Sequence, residues 1–268
     1  MQVPLKISII TPSFNQGRFL ASAINSVRQQ NGLNYEHIIV DNCSTDQTLS
    51  VLKDYLSLKV ICERDQGQSD ALNKGFRLAS GGIIGWLNAD DRYLPGCFKA
   101  VSEFFIANPS CDIVYGHYRL IDEVGKVLSN RKELGFDLFM LKYLHILYIP
   151  STTVFFRRRI FEEGNFLDIK YHYAMDYEFF LRLALKGYKF CHIPEFLADF
   201  RIHPASKSQK QTIAQMREME SALLQHDPWL GQFHGFLFKL VRTCLMVIAR
   251  LKRYFLKITI GAYCGDSH

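Results

Sequence analysis

Along the N-terminal third of the chain, short apolar runs alternate with segments whose apolar residues recur at helical spacing. Lys6–Thr11 is an apolar run that stops at Pro12-Ser13-Phe14-Asn15-Gln16-Gly17, and Arg18–Gln29 then carries Phe19, Ala23 and Val27 on one helical face. Tyr35–Val40 predicts a second strand ending on Asp41. Ser44 followed by Gln47 has the spacing of a capping box, which predicts a helix from there to Leu56. Lys59–Glu63 predicts a third strand, Gln68–Leu78 a third helix, and Gly81-Gly82 leads into an apolar strand at Ile83–Leu87. Strands alternating with helices of about 10–15 residues imply βαβ units and a mostly parallel sheet. The expectation is an α/β, Rossmann-like half.

Beyond Asp91 the pattern changes. Pro95–Asn108 predicts a helix, Ile113–Val127 strands around the turn Asp122-Glu123-Val124-Gly125, and Ser151–Phe156 a further β-rich run. Asp176–Lys186 predicts an amphipathic helix, with strands at Phe190–Ile193 and Phe196–Ile202. This half is expected to be α+β and to extend the same sheet. The division is a domain over 1–226, with halves at about 1–110 and 111–226, followed by a segment at 227–268.

In that last segment, projection at about 100° per residue puts Lys239, Arg242, Arg250, Arg253 and Lys257 on one face. Leu237, Leu240, Val241, Cys244, Val247, Ile248, Leu251, Phe255 and Ile258 occupy the other. The charges break any uninterrupted apolar span of roughly 20 residues, which argues against a transmembrane helix. The expectation is a basic amphipathic helix lying on an anionic membrane through about residues 233–260; the alternative is a helix packed on the core with a solvated basic face.

Composition narrows the partners. The net charge is +6, and the six basic residues between Trp229 and Cys264 face no acidic ones there, so the rest of the chain is close to neutral. A nucleic-acid face is not expected, because the excess is confined to one very hydrophobic segment. Seven scattered cysteines without a Cys-x-x-Cys pair predict reduced thiols in a cytosol rather than a disulfide scaffold or zinc site. Met1–Pro4 leads straight into a strand, with no signal peptide expected.

The chemistry gathers at predicted strand ends. Asp90 and Asp91 follow a strand too apolar to face water, and adjacent carboxylates there repel unless exposed or bridged by a cation. The carboxyl edge of an open α/β sheet is where ligands bind, and a hard divalent cation with a phosphorylated substrate suits it; a plain turn before Pro95 is the alternative. Three other polar clusters share that edge: Thr11 to Asn15, Asp41-Asn42, and Asp65 to Asp70. Neither a dinucleotide fingerprint nor a P-loop is present.

In their order and spacing, five stretches resemble the motifs of family 2 glycosyltransferases of the GT-A fold, bacterial enzymes of cell-surface polysaccharide assembly that use nucleotide-activated sugars. They are Thr11-Pro12-Ser13-Phe14-Asn15, Val40 to Asp46, Asp65 to Gly75, Leu87-Asn88-Ala89-Asp90-Asp91 and Met175-Asp176-Tyr177-Glu178. The resemblance implies a Rossmann-like nucleotide-diphospho-sugar transferase with a mixed, mostly parallel sheet flanked by helices, plus the C-terminal helical extension.

By the same resemblance Asp41 would accept a hydrogen bond from the donor's nucleobase, most often uracil, and the backbone of Thr11, Pro12, Ser13 and Phe14 would line the base and ribose. Asp65, Gln68, Asp70, Asn73 and Lys74 would line the nucleoside or donor sugar, or hold their own loop and helix. Asn88, Ala89 and Asp90 would meet the donor, and Asp90, Asp91 and His203 would hold Mn²⁺ or Mg²⁺ on its diphosphate. Asn88 replaces the first Asp of the family's Asp-x-Asp motif. Asp176 resembles the general base of an inverting transfer, with Met175 in place of the usual Glu; a helix N-cap is the alternative.

The implied activity is metal-dependent transfer of a hexosyl or N-acetylhexosaminyl unit, most often from a UDP-sugar, to a glycan or lipid-linked hydroxyl. It would run at the cytoplasmic face of the plasma membrane, with the chain held peripherally. The rival readings are a non-catalytic membrane-bound scaffold, which Asn88 and Met175 keep open, and a sugar nucleotidyltransferase, which lacks its basic glycine-rich loop.

Overall fold

The computed structural model describes residues 5–30, 34–204 and 212–261. The predicted alternation is borne out: β1 (Ile7–Ser13), α1 (Gly17–Arg28), β2 (Tyr35–Asp41), α2 (Thr48–Lys53), β3 (Lys59–Cys62), α3 (Gln68–Leu78) and β4 (Ile83–Trp86) follow one another. A two-residue strand β5 (Arg92–Tyr93) and α4 (Cys97–Ala107) complete the first half. The second half contributes β6 (Ile113–Ile121), β7 (Val127–Arg131), α5 (Leu138–Tyr143), β8 (Phe155–Arg157), α6 (Arg159–Glu162), α7 (Met175–Leu185) and β9 (Phe190–Arg201). Two helices end the described chain, α8 (Thr212–His226) and α9 (Gly235–Thr259).

All strands join one sheet in the order β3-β2-β1-β4-β8-β6-β9-β5, with β7 on β6. Pairing is parallel from β3 through β4, and mixed beyond, where β8 runs antiparallel to both β4 and β6. Ile7, Ile9 and Ile83 pack on Phe98 and Phe155 on one side, while Ile10, Ile84 and Trp86 pack on Phe156 and Phe180 on the other. Both faces are covered, which is why these strands show unbroken apolar runs. Gly75 lets α3 lie directly on β1, since a Cβ there would sit 2.4 Å from Ile10 Cγ2.

Local differences from expectation have physical causes. The capping box fails: α2 opens at Thr48, whose amide donates to Asp46 Oδ1 at 2.9 Å, while Ser44 turns back to Asp41. Ser151–Thr153 is a 3-10 turn rather than strand, and the two predicted C-terminal strands are a single β9 whose pairing with β6 shifts register at His117. Parallel pairing of β6 with β9 also brings Cys111 and Cys191 together in a disulfide, with Cα atoms 6.2 Å apart. Uniformly reduced thiols are therefore not what the structure contains, and cysteine usage no longer argues for a reducing compartment. Cys43, Cys62, Cys97 and Cys244 are free; Cys264 lies outside the described residues.

No described helix is long and apolar enough to cross a membrane. Helix α9 packs against α5 with its basic side turned towards the body, so the alternative of a solvated basic face is not what the structure shows. Arg242 pairs with Glu220, Arg253 and Lys257 with the buried Glu133, and Lys252 with Asp137. Its apolar stripe faces outwards.

Candidate active site

Register places the polar strand ends side by side: Ser13 opposite Asp41, and Asp41 opposite Cys62, with β4 ending nearby at Trp86. Above this edge lies a cavity of about 370 Å³. Pro12, Ser13, Phe14, Asp65, Gln68, Asn88, Ala89, Asp90 and Asp91 line it from the first half; Asp176 and His203 line it from the second. Eleven residues named from sequence thus meet around one space.

Five others stand behind it. Asp41 is fully buried, accepting from the Ser44 amide at 2.8 Å and the Ser44 hydroxyl at 2.6 Å. Ser44 in turn accepts from the Asn15 amide at 2.8 Å, so Asp41 shapes the loop that borders the cavity. Thr11 is buried against His37, with Oγ1 2.9 Å from its Nε2. Asn73 ties α3 to Leu167, donating to its carbonyl and accepting from its amide at 2.9 Å each. Lys74 clamps the preceding loop through Arg64 O and Glu63, and Asp70 accepts from the Gln66 amide at 3.1 Å. For Asp70, Asn73 and Lys74 the structure shows the loop-holding role.

The Asn88–Asp91 turn separates two neighbouring carboxylates. Asp91 is 1% exposed: Oδ1 accepts from the Arg201 amide at 2.9 Å, and Oδ2 from Asn88 Nδ2 at 3.0 Å and the Thr152 hydroxyl. Burial first, and the neighbouring Asp90 charge second, push its pKa up to about 7. Both Asp91 oxygens, expected from the resemblance to meet a metal, are bonded within the protein. Asp90 faces the other way, with Oδ2 3.0 Å from His203 Nε2. Asn88 Oδ1 accepts from Gln68 Nε2 and Trp86 Nε1, both at 2.9 Å. The Asn that departs from the family motif is thus the hinge between Gln68, Trp86 and Asp91.

Arg201, two residues before His203, is 3% exposed and holds this turn in place. Its Nε donates to Asp90 O at 2.7 Å and its Nη1 to Asp122 O and Glu123 O at 3.0 and 2.9 Å. Burial first, and the neighbouring Arg92 charge second, lower its pKa.

The opposite wall depends on a residue that no motif signalled. Glu218 of α8 accepts from the amides of His172, Tyr173 and Ala174 at 2.7–3.2 Å, and Gln215 donates to Tyr173 O at 3.1 Å. These amides precede α7, whose N-cap position is Ala174. Asp176 is therefore the second residue of the helix, on the cavity side, and not its cap. Behind it the buried Glu178 is held by Arg182 at 2.6 Å and His226 at 2.7 Å.

No cluster of three or more His, Cys, Asp or Glu side chains among the described residues is placed to hold a metal unaided. Asp90 and His203 supply two ligand atoms, which fits an ion that arrives with diphosphate oxygens completing its shell.

Comparison with known proteins agrees with the fold. Residues 8–164 match the glycosyl transferase family 2 model. A glycosyltransferase of Nostoc sp., alr2836, is 30% identical over 215 residues, covering 75% of this chain and 66% of its own length. TuaG of Bacillus subtilis, a glycosyltransferase assigned to teichuronic acid biosynthesis, is 27% identical over 234 residues, covering 83% and 92%. The structure of Staphylococcus aureus TarS 1–349 with UDP superposes with a TM-score of 0.65 at 17% identity, covering 96% of this chain and 74% of that one. Mannosyltransferase PcManGT of Pyrobaculum calidifontis, with GDP-Man and Mn²⁺, gives 0.63 at 17%, covering 99% and 77%. The chain belongs to glycosyl transferase family 2.

Proposed function

We propose that this family 2 chain transfers a sugar from a nucleotide-diphosphate donor to a hydroxyl of a glycan or lipid-linked acceptor, with inversion at the anomeric carbon. The observation that carries the reading is that Asp90, paired with His203, and Asp176 line one cavity at the carboxyl edge of parallel strands. UDP in the TarS complex and GDP-Man with Mn²⁺ in PcManGT support the donor class. The assignment of TuaG to teichuronic acid biosynthesis supports an acceptor in cell-surface polysaccharide assembly. A UDP-sugar is the favoured donor, in keeping with UDP in the TarS complex, and the cytoplasmic face of the membrane is the proposed location.

Asp176 accepts the proton of the acceptor hydroxyl as its oxygen bonds to the anomeric carbon, while the bond to the diphosphate breaks on the opposite face. The transition state is oxocarbenium-like. Gln68 and Asn88, bonded to each other, offer polar contacts to the donor, and Ser13 and Phe14 border the nucleoside side. Mn²⁺ or Mg²⁺, held by Asp90 and His203, would neutralise charge on the departing diphosphate.

Incubating the protein with UDP-, GDP- and dTDP-sugars, with Mn²⁺, Mg²⁺ or EDTA, tests this through nucleotide release and thermal stabilisation. One donor should stabilise the chain in a metal-dependent way, and Asp90→Ala should weaken that effect. Silence towards every donor with both metals would leave the non-catalytic scaffold as the better reading.

A further inference from the structure

Helix α9 presents to solvent what a helix normally hides. Leu237, Leu240, Ile248, Leu251, Phe255 and Ile258 are each about half exposed, from 47% at Leu240 to 62% at Phe255. At about 100° per residue they form one continuous stripe, roughly 30 Å long at 1.5 Å per residue. The inward side is filled by Phe238, Val241, Leu245 and Ala249 on the core, so the stripe is not left over from incomplete packing. Single exposed apolar residues are ordinary, but a contiguous patch of this length marks an interaction surface.

Charge decides between occupants. The helix carries no acidic residue, and four of its six cations are answered by Glu220, Glu133 and Asp137 of the body. Lys239 and Arg250 flank the stripe with no carboxylate at salt-bridge distance among the described residues. Pairing two copies through the stripe would bring these cations to the seam with no acid on either helix to meet them. Anionic lipid headgroups meet them favourably.

We propose that α9 docks the chain on an anionic bilayer, lying in the plane of the surface with its apolar stripe among the acyl chains and Lys239 and Arg250 at the headgroups. Insertion of apolar area dominates, because most of the helix's positive charge is already neutralised within the protein. Docking of this kind holds whether or not the chain turns over a donor.

Flotation of the purified full chain tests it, with vesicles of phosphatidylcholine alone and of phosphatidylcholine containing phosphatidylglycerol. The chain should float with the anionic vesicles and persist there at high salt, because apolar burial is not screened. Leu240→Asp with Leu251→Asp should bind at least about tenfold more weakly, with an unchanged melting temperature. Ile258→Ser, a milder change at the far end, should weaken binding in the same direction. Lys239→Ala with Arg250→Ala should lose about tenfold on anionic vesicles and nothing on neutral ones. Absence of flotation, or equal flotation of the Asp variant, overturns the proposal. So does a dimer seen by light scattering that the Asp variant dissociates while vesicles stay unbound, since the stripe would then belong to a second copy.

Discussion

On one side of the cavity the polar groups rise from adjacent strand ends, and each loop is tied to its neighbour by several separate bonds. Asn42 Oδ1 accepts from the Asp65 amide at 2.9 Å, Asp41 holds Ser44, and Ser44 holds Asn15. On the other side, the amides of His172, Tyr173 and Ala174 converge on the single carboxylate of Glu218. The first wall distributes its restraint, so loss of any one bond is buffered by the sheet register beneath it. The second gathers three amides on one carboxylate, backed by the Gln215 bond to Tyr173 O, immediately before the helix that carries Asp176. Binding of a donor should depend on the first wall, and chemistry on the second.

The largest effect expected is at Asp176. Asp176→Asn keeps the shape and removes the base, so transfer should fall by about 10²–10⁴-fold while donor-induced stabilisation stays. Single-turnover transfer beside a donor melting shift separates the two; equal loss of both would place Asp176 in donor binding instead. Asp90→Ala tests the facing wall, where donor stabilisation should lose its dependence on metal. Asp91→Asn should keep that dependence, since Asp91 bonds only inward to Asn88, Thr152 and Arg201.

Glu218→Gln should come next. It leaves one oxygen for three amides and removes the charge that strengthens those bonds, at a cost of about 2 kcal/mol. Transfer should drop more than donor affinity if the second wall serves Asp176. Asn42→Ala removes a comparable contact from the first wall and should cost about 1 kcal/mol, because neighbouring bonds remain. Chemical denaturation of both variants measures the difference, and equal costs would erase the distinction between walls.

The contrast also explains what was legible in the sequence. Strand ends announce themselves: an apolar run ending on Asp41 or on Asn88 to Asp91 places a polar group at a known sheet edge by its pattern alone. What those groups do there depends on their partners, and Asp41 and Asp91 turn inward for reasons written in Ser44 and Thr152. Glu218 is 44 residues from the Ala174 amide it receives, and α8 carries only a shallow apolar stripe. Cys111 and Cys191 likewise meet only through β6–β9 pairing, which no local spacing encodes. The sidedness of α9 escapes the pattern for a related reason: periodicity separates two faces but does not say which one finds Glu133 and Glu220.

The smallest effect sharpens the first wall from beneath. His37 lies buried under the β1–β2 edge against Thr11, and burial holds its pKa down to about 3. Between that value and about 6.5, the unfolded chain binds a proton that the folded chain refuses, so stability rises with pH through this window and falls as the solution is acidified. From pH 7 to 6 the loss from this group is about 0.7 kcal/mol. His37→Gln removes the titration and should flatten the pH dependence by that amount, whatever its effect on stability at pH 7. The buried His117 and half-buried His192, each held down to about 4 by desolvation, titrate in the second half and remain in the variant. A slope unchanged in His37→Gln would assign the acid sensitivity to that half, and the wall beneath the donor would then be the part indifferent to pH.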